Sequence, residues 1–427
     1  MYNYFTDLVW KVDVGLFFLA LALVLGIPYY GGVKFYFESR RIKKLRAIKE
    51  NVYRLALNKE TASPQQQASF IRNISPQIFL DVAANRVREE VFFNEAEQSI
   101  FKQHYIEQAN IRKLESVAAR SFNKWRRIEA ILALGYAGAS TSLETLKKSL
   151  FEKDEDISYF SALALGQMRN PDSARLLLEF LRKNSAHRYK IASLLGQFPP
   201  AVSSEVILLT QDNDYSVRFF ALQILASFKD SSHIERLEEL TRDESAEVRG
   251  AACECLGVAG DRSALATLKG CLKDRVWFVK MQAVGALENL LGDECVGAVI
   301  ELISDNSWLV IDGVKKVLAK HIENALPYLE NFLAGEDPLS RNIAVEIIES
   351  SGYIEKLYTD LLAGGATRGK ALDLLKRMVK AGAYNGLDPA LYSLDKGQYR
   401  EILGSLREID ETVARRIEEN LKGKDHS

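Results

Sequence analysis

The sequence repeats itself every 30 or 31 residues over most of its length, and this period constrains the fold more than any other feature. The stretch LALGYAG at Leu132 recurs further along the chain as LALGQM, SLLGQF, QILASF, ECLGVAG and GALENL. Because a unit of this length holds two amphipathic helices, it buries its apolar face only by stacking on its neighbours. The sequence therefore predicts an all-α fold, an α-solenoid of helix pairs. One aliphatic position marks the register in eight successive units: Leu134, Leu165, Leu195, Leu225, Leu256, Leu287, Leu318 and Ile348.

Each unit has the same internal order. Its first helix carries the pattern V-R-x-x-A-x-x-x-L, as at Val217 and Val248, and a short turn follows. The second helix has leucines at helical spacing, such as Leu265, Leu268 and Leu272.

This pattern resembles the HEAT repeat, in the short-unit form shared with phycobilisome-lyase-type proteins. The segment SAEVRGAACECLGVAGDRSALATLKGCLKD, residues 245–274, carries the resemblance most clearly, which extends over residues 124–366. Tetratricopeptide and ankyrin repeats differ in period and lack their signatures here. The resemblance implies a surface that binds other molecules.

Aspartates recur at the same interval. They lie 31 residues apart, each five residues before a valine of a first helix, and three of those valines precede Arg218, Arg249 and Lys280. An aspartate near a helix N-terminus can accept backbone N–H groups, and beside a basic side chain of a neighbouring repeat it can link the two repeats. We interpret the series as an inter-repeat linkage, with a ligand-binding ladder as the alternative. The four residues are Asp212, Asp243, Asp274 and Asp305.

An uncharged stretch near the N-terminus predicts a membrane anchor. Residues 14–30 read VGLFFLALALVLGIPYY, with aromatic residues on both sides. A cleaved signal peptide is the first alternative, but a basic leader and an Ala-x-Ala site are missing. A buried core helix is the second alternative. Because basic residues cluster at 40–46, we expect the N-terminus outside and the array in the cytoplasm, in the inner membrane of a bacterium.

The predicted organisation has four parts. A transmembrane helix, 8–33, precedes a helical stalk and N-terminal cap, 34–123. The HEAT-repeat solenoid occupies 124–394, and a C-terminal cap and tail follows at 395–427.

Charge and motifs argue against several classes of function. The net charge is -1, residues 1–123 hold 17 Lys and Arg against 12 Asp and Glu, and the array is mildly acidic, so no nucleic-acid partner is expected. None of the five histidines precedes Glu, as the iron-dependent hydroxylases built on HEAT-like repeats require. P-loop, HExxH and CxxC motifs are missing as well. We predict no enzyme activity and no catalytic, cofactor or metal site. The cysteines are interpreted as structural residues: Cys253, Cys255, Cys271 and Cys295.

One set of residues is a candidate binding site. Tyr215, Trp277 and Trp308 occupy the same repeat position at the start of first helices, with Ala246 in the slot between the first two. Aligned aromatic side chains along a solenoid edge can serve as hot spots for a protein partner. The alternative is that they pack against the previous repeat.

The expected function is therefore a membrane-anchored scaffold or adaptor for a protein partner whose identity the sequence does not reveal. The alternative is a bilin lyase or chaperone-lyase acting on a protein-bound cofactor, because motifs of that class are diffuse.

Overall fold

The described part of the chain is helical, as the repeat period predicts. Within it, every regular element of the computed structural model is a helix. The predicted transmembrane helix, 8–33, lies outside the described residues, as does most of the predicted stalk. No helix that the structure describes has the length and apolar content needed to cross a bilayer. The described residues are 40, 42–43, 45–49, 76–83, 110–382, 387–391 and 394–424.

Two compact units divide the chain, residues 1–198 and residues 199–427. In the first unit, α3 packs along α2 and α5, and α5 packs against the second helix of its own repeat, α6. The described helices of this unit are α1 (Pro76–Ala83), α2 (Asn110–Arg120), α3 (Lys124–Ala137), α4 (Leu143–Leu150), α5 (Glu155–Met168), α6 (Pro171–Lys183) and α7 (Arg188–Leu195).

The second unit repeats the arrangement. Its first helices α9, α11, α13, α15 and α17 pack side by side in chain order. The helices are α8 (Ser203–Val206), α9 (Tyr215–Phe228), α10 (Ile234–Leu240), α11 (Ala246–Ala259), α12 (Leu265–Cys271), α13 (Trp277–Leu291), α14 (Val296–Val299), α15 (Trp308–Lys320), α16 (Ile322–Ala334), α17 (Pro338–Ser350), α18 (Tyr353–Ala363), α19 (Gly365–Lys380), α20 (Leu387–Leu391), α21 (Lys396–Ile409) and α22 (Glu411–Lys424). Short 3₁₀ segments lead into or extend second helices at Ser140–Ser142, Pro200–Val202, Ile207–Gln211, Arg262–Ala264, Gly292–Cys295 and Ile300–Ser304.

The predicted register is confirmed by burial. All eight aligned aliphatic residues lie in the core: Leu225 is 5% exposed and the other seven are fully buried. Each sits on the first helix of its pair. On a second helix, Leu268 is fully buried and Leu272 nearly so, whereas Leu265 is half-buried. Stacking of apolar helix faces therefore holds the repeats together in both units.

Glycine is required at two places in one repeat. A Cβ built on Gly257 would lie 2.5 Å from the Cα of Ala286, so glycine lets α11 approach α13 closely. Gly260 ends α11 with φ 78°, the left-handed conformation that glycine adopts without steric cost. In the preceding repeat Lys229 takes the same place with φ 52°, which costs a residue with a Cβ about 1 kcal/mol.

The four cysteines are free thiols in the interior of the second unit. Burial raises the pKa of the Cys295 thiol to about 11, which disfavours the reactive thiolate. This environment agrees with the predicted structural role.

Candidate partner-binding edge

The periodic aspartates shape the turns that precede the first helices of the second unit. Each carboxylate accepts a hydrogen bond from the backbone N–H two residues later, at 2.8–2.9 Å, and the helix begins at the next residue. The predicted role as a helix cap is therefore wrong in detail, because the aspartates cap the turn. The side chains of Asp214 and Ser245 cap α9 and α11 themselves.

Basic side chains link these turns from one repeat to the next. Arg218 donates two hydrogen bonds to the carboxylate of Asp243, at 2.9 and 2.7 Å. It also donates to the carbonyl oxygens of Asp212 and Asn213, in the turn before its own helix. One guanidinium thus holds two successive turns in a fixed relation.

The same link recurs 31 residues later. Arg249 donates to Asp274 at 2.7 and 3.0 Å and to the carbonyl oxygens of Asp243 and Glu244. Lys280 pairs with Asp305. We call each of these ion pairs a rung. The predicted inter-repeat linkage is confirmed.

A further rung lies in the first unit and was missed in the sequence. Arg127 pairs with Glu152 at 2.6 Å and donates to the carbonyl of Ala118 at 2.8 Å. Arg127 precedes Leu134 by the same seven residues that separate Arg218 from Leu225. The leucine register contained this signal, but the acid is Glu rather than Asp, so the aspartate series did not include it.

The rungs of the second unit are shielded from water. The side chains of Arg249 and Asp274 are 8% and 13% exposed. Burial opposes ionisation of Asp274, but hydrogen bonds from the Arg249 guanidinium and from the Val276 N–H outweigh it and hold the pKa of Asp274 below its usual value. The pair is therefore charged at neutral pH, and each partner depends on the other for solvation.

The three candidate aromatic residues project from these fixed turns. Tyr215, Trp277 and Trp308 are the first residues of α9, α13 and α15, and their side chains are 51%, 44% and 71% exposed. The ring of Trp277 contacts the next residue, Phe278, edge to face at 6.0 Å between centroids. The observed exposure favours a surface role over the alternative of packing.

Their spacing follows from the helix row. Because α9, α11, α13 and α15 pack side by side, neighbouring helix starts lie about 10 Å apart. Trp277 and Trp308 are therefore neighbours, whereas Tyr215 is separated from Trp277 by the partly buried Ala246. We call this row of helix starts the aromatic edge.

The arrangement offers recognition rather than chemistry. Among the described residues, no group of three or more His, Cys, Asp or Glu side chains is placed to hold a metal ion. A titratable cluster does occur at the other end of α13 and α15, where the ring nitrogens of His321 lie 2.6 Å from Asp293 and 3.0 Å from Glu288. These contacts join two neighbouring repeats.

Comparison with protein families identifies the repeats. Residues 111–196 and 205–288 match the model of HEAT repeats, so that part of the predicted resemblance is confirmed. The narrower likeness to phycobilisome-lyase-type proteins stays a prediction. No curated protein sequence matches the chain significantly.

Several solved structures are similar to the chain. One is an engineered protein with 17% identity, 85% of this chain and 98% of that chain covered, and a TM-score of 0.31. Another is importin beta, with 13% identity, coverage of 85% and 65%, and a TM-score of 0.43. A third is a designed armadillo repeat protein in complex with the peptide (KR)4, with 18% identity, coverage of 59% and 99%, and a TM-score of 0.26. On the family match and the helix pairs together, both units of this chain contain HEAT repeats, and the protein is an α-helical repeat solenoid.

Proposed function

We propose that the protein is a membrane-anchored scaffold whose HEAT repeats hold a protein partner on the cytoplasmic side of a bacterial inner membrane. The observation that carries the proposal is the aromatic edge, where Tyr215, Trp277 and Trp308 are exposed at equivalent positions of one array. Large aromatic side chains supply much of the binding energy at protein interfaces.

The rungs support this role by fixing the edge before a partner arrives. Arg249 ties the turn before α11 to the turn before α13, which leads into Trp277. Lys280 ties the latter turn region to the one that leads into Trp308. Because the backbone at these helix starts is already ordered, little conformational entropy is lost on binding.

The membrane part of the proposal rests on the sequence. Residues 14–30 carry no charge, and the basic cluster at 40–46 follows the apolar segment directly. By the positive-inside rule this places the repeats in the cytoplasm, where a membrane-associated assembly would supply the partner.

Replacing Trp277 by Ala tests the aromatic edge. A photo-crosslinking residue at position 308 in cells should capture a discrete partner, and Trp277→Ala should weaken that capture by more than about 1 kcal/mol, roughly five-fold or more. The melting temperature should change little, because the side chain is half exposed.

Tyr328→Ala is the matched control, since Tyr328 is 41% exposed on the second helix α16, away from the edge. Unchanged capture by the Trp277 variant, or equal loss in the Tyr328 variant, would contradict the proposed site.

A reporter enzyme that is active only outside the cytoplasm tests the topology. Fused to the C-terminus, it should be silent, whereas the same reporter fused before residue 8 should be active. Strong activity at the C-terminus would refute the orientation.

A further inference from the structure

The turn between α2 and α3 in the first unit exposes two more aromatic side chains. Phe122 is fully exposed and Trp125 is 67% exposed. They lie three residues apart and do not belong to the repeating series. Exposed aromatic residues this close together form an apolar patch that water solvates poorly, and such patches mark interaction sites.

Hydrogen bonds hold this turn in place. Asn123 caps α3 by accepting from the backbone N–H of Arg126 at 3.2 Å, and its own N–H donates to Ser121. Arg127 donates to the carbonyl of Ala118 at 2.8 Å, which joins the end of α2 to the start of α3. The aromatic side chains therefore project from an ordered turn.

The charge around the turn is strongly positive. Residues 110–127 hold six Lys and Arg and a single acid, Glu115. Nearby acids of the next repeat are already paired: Lys124 contacts Asp154 and Asp156 at 2.8 and 2.6 Å, and Arg127 contacts Glu152.

Two cations of the turn are left for a partner. Arg120 and Arg126 are exposed, and neither forms an ion pair with another residue that the structure describes. They flank Phe122 and Trp125 in the sequence. We call the four residues Arg120, Phe122, Trp125 and Arg126 the basic aromatic turn.

We infer that the basic aromatic turn docks on an anionic lipid surface. Aromatic rings are favoured at the level of lipid headgroups, and guanidinium groups bind the phosphates of anionic lipids. The side chains project from a convex turn, which suits a soft, flat bilayer surface. The inference rests on the proposed membrane anchoring, which would bring the turn to a bilayer.

Single-tryptophan variants of the full chain test the inference. Trp10→Phe, Trp277→Phe and Trp308→Phe together leave Trp125 as the only tryptophan. The chain is reconstituted in phosphatidylglycerol–phosphatidylcholine vesicles that contain lipids brominated near the headgroup. We expect bromine to quench Trp125 emission. Arg120→Gln and Arg126→Gln should each lower the ratio of docked to undocked turns about five-fold, and so restore emission.

A companion variant separates this inference from the proposed anchor. It retains only Trp10, beside the predicted transmembrane segment, and its quenching reports insertion of that segment. Quenched Trp10 with unquenched Trp125 would leave the anchor standing and overturn the docking. Unquenched Trp10 with quenched Trp125 would refute the anchor and support the docking.

Lipid composition checks the charge requirement. Equal quenching of Trp125 in pure phosphatidylcholine vesicles would overturn the role of anionic lipid. Unquenched Trp125 in every vesicle would also overturn the inference, and would point to an acidic protein surface as the partner of the turn. Because Phe122 and Trp125 are exposed, Phe122→Ser should lower quenching without changing the circular dichroism spectrum.

Discussion

The two units stack their helices in the same way but link neighbouring repeats differently. In the second unit, Arg218, Arg249 and Lys280 form three successive rungs. In the first unit, the rung position after Arg127 is occupied by Ser158, whose hydroxyl donates to the carbonyl of Leu150 at 2.6 Å. Apolar stacking is therefore the common requirement of the fold, whereas the buried ion pairs are an addition that some repeats lack.

Surface charge separates the units as well. Residues 110–198 hold 15 Lys and Arg against 9 Asp and Glu, whereas residues 199–350 hold 14 against 25. Both stretches expose aromatic side chains near the starts of first helices. The same architectural position thus presents aromatic rings in a basic setting in one unit and in an acidic setting in the other, which suits two different kinds of surface.

Removing one partner of a rung should have the largest effect and should differ between the units. Asp274→Ala leaves Arg249 buried without its counter-charge and should destabilise the protein by about 3–5 kcal/mol. Glu152→Ala should cost about 1 kcal/mol or less, because the Glu152 side chain is 34% exposed and water can solvate Arg127. Denaturant unfolding followed by circular dichroism measures both. Equal losses would remove the distinction between the units.

Adding a methyl group at the close helix approach should affect both units. Gly257→Ala forces α11 away from Ala286 and should cost about 1–3 kcal/mol, and Gly135→Ala should cost as much against Ala164. Gly285 lies inside α13 with no neighbour within 4 Å of an added Cβ. Gly285→Ala should therefore stabilise the protein by roughly 0.5–1 kcal/mol in the same thermal melts. The same sign for Gly257→Ala and Gly285→Ala would contradict the packing argument.

Helix ends offer a smaller and symmetric test. Lys229→Gly relieves a left-handed backbone and should stabilise the second unit by about 1 kcal/mol, as Arg169→Gly should the first. Gly260→Ala should destabilise by about the same amount. Differential scanning calorimetry detects these shifts. A neutral result for both basic residues would mean that their side chains contribute compensating contacts.

Acid should weaken a rung over a defined pH range. The folded pKa of Asp274 lies below that of an unfolded Asp, about 3.9, so its pairing contributes fully above that value. The contribution is lost as the pH falls through the lowered folded pKa. The difference in unfolding free energy between wild type and Asp274→Asn should therefore be constant above about pH 4 and shrink below it. A difference that shrinks already near pH 6 would exclude this carboxyl as the cause.

Much of the fold could be predicted because burial follows the repeat. Leu134 through Ile348 recur at one interval, and a side chain at that place in a stacked helix pair has no route to water. The aspartate series was also predictable as a linkage. Its turn-capping hydrogen bonds were not, because spacing alone does not distinguish a carboxylate that caps a turn from one that caps the helix one residue later.

The candidate site was less accessible to sequence. The recurrence of Tyr215, Trp277 and Trp308 predicted their common position, but periodicity is the same for a packed and an exposed ring, so exposure needed the structure. Phe122 and Trp125 occur once and have no periodic signal. Their importance depends on which nearby charges are already paired, and only coordinates show that Lys124 and Arg127 are occupied.

The rungs also bear on how such an array can change its length. Each rung joins residues 25 positions apart, from two different repeats. Deleting residues 219–249, one whole period, would bring Arg218 to the same distance from Asp274 that now separates it from Asp243. A deletion of any other size would strand a buried guanidinium. Gain and loss of repeats by duplication or excision is therefore restricted to whole units, so the ion pairs act as a proofreading device for the evolution of the array.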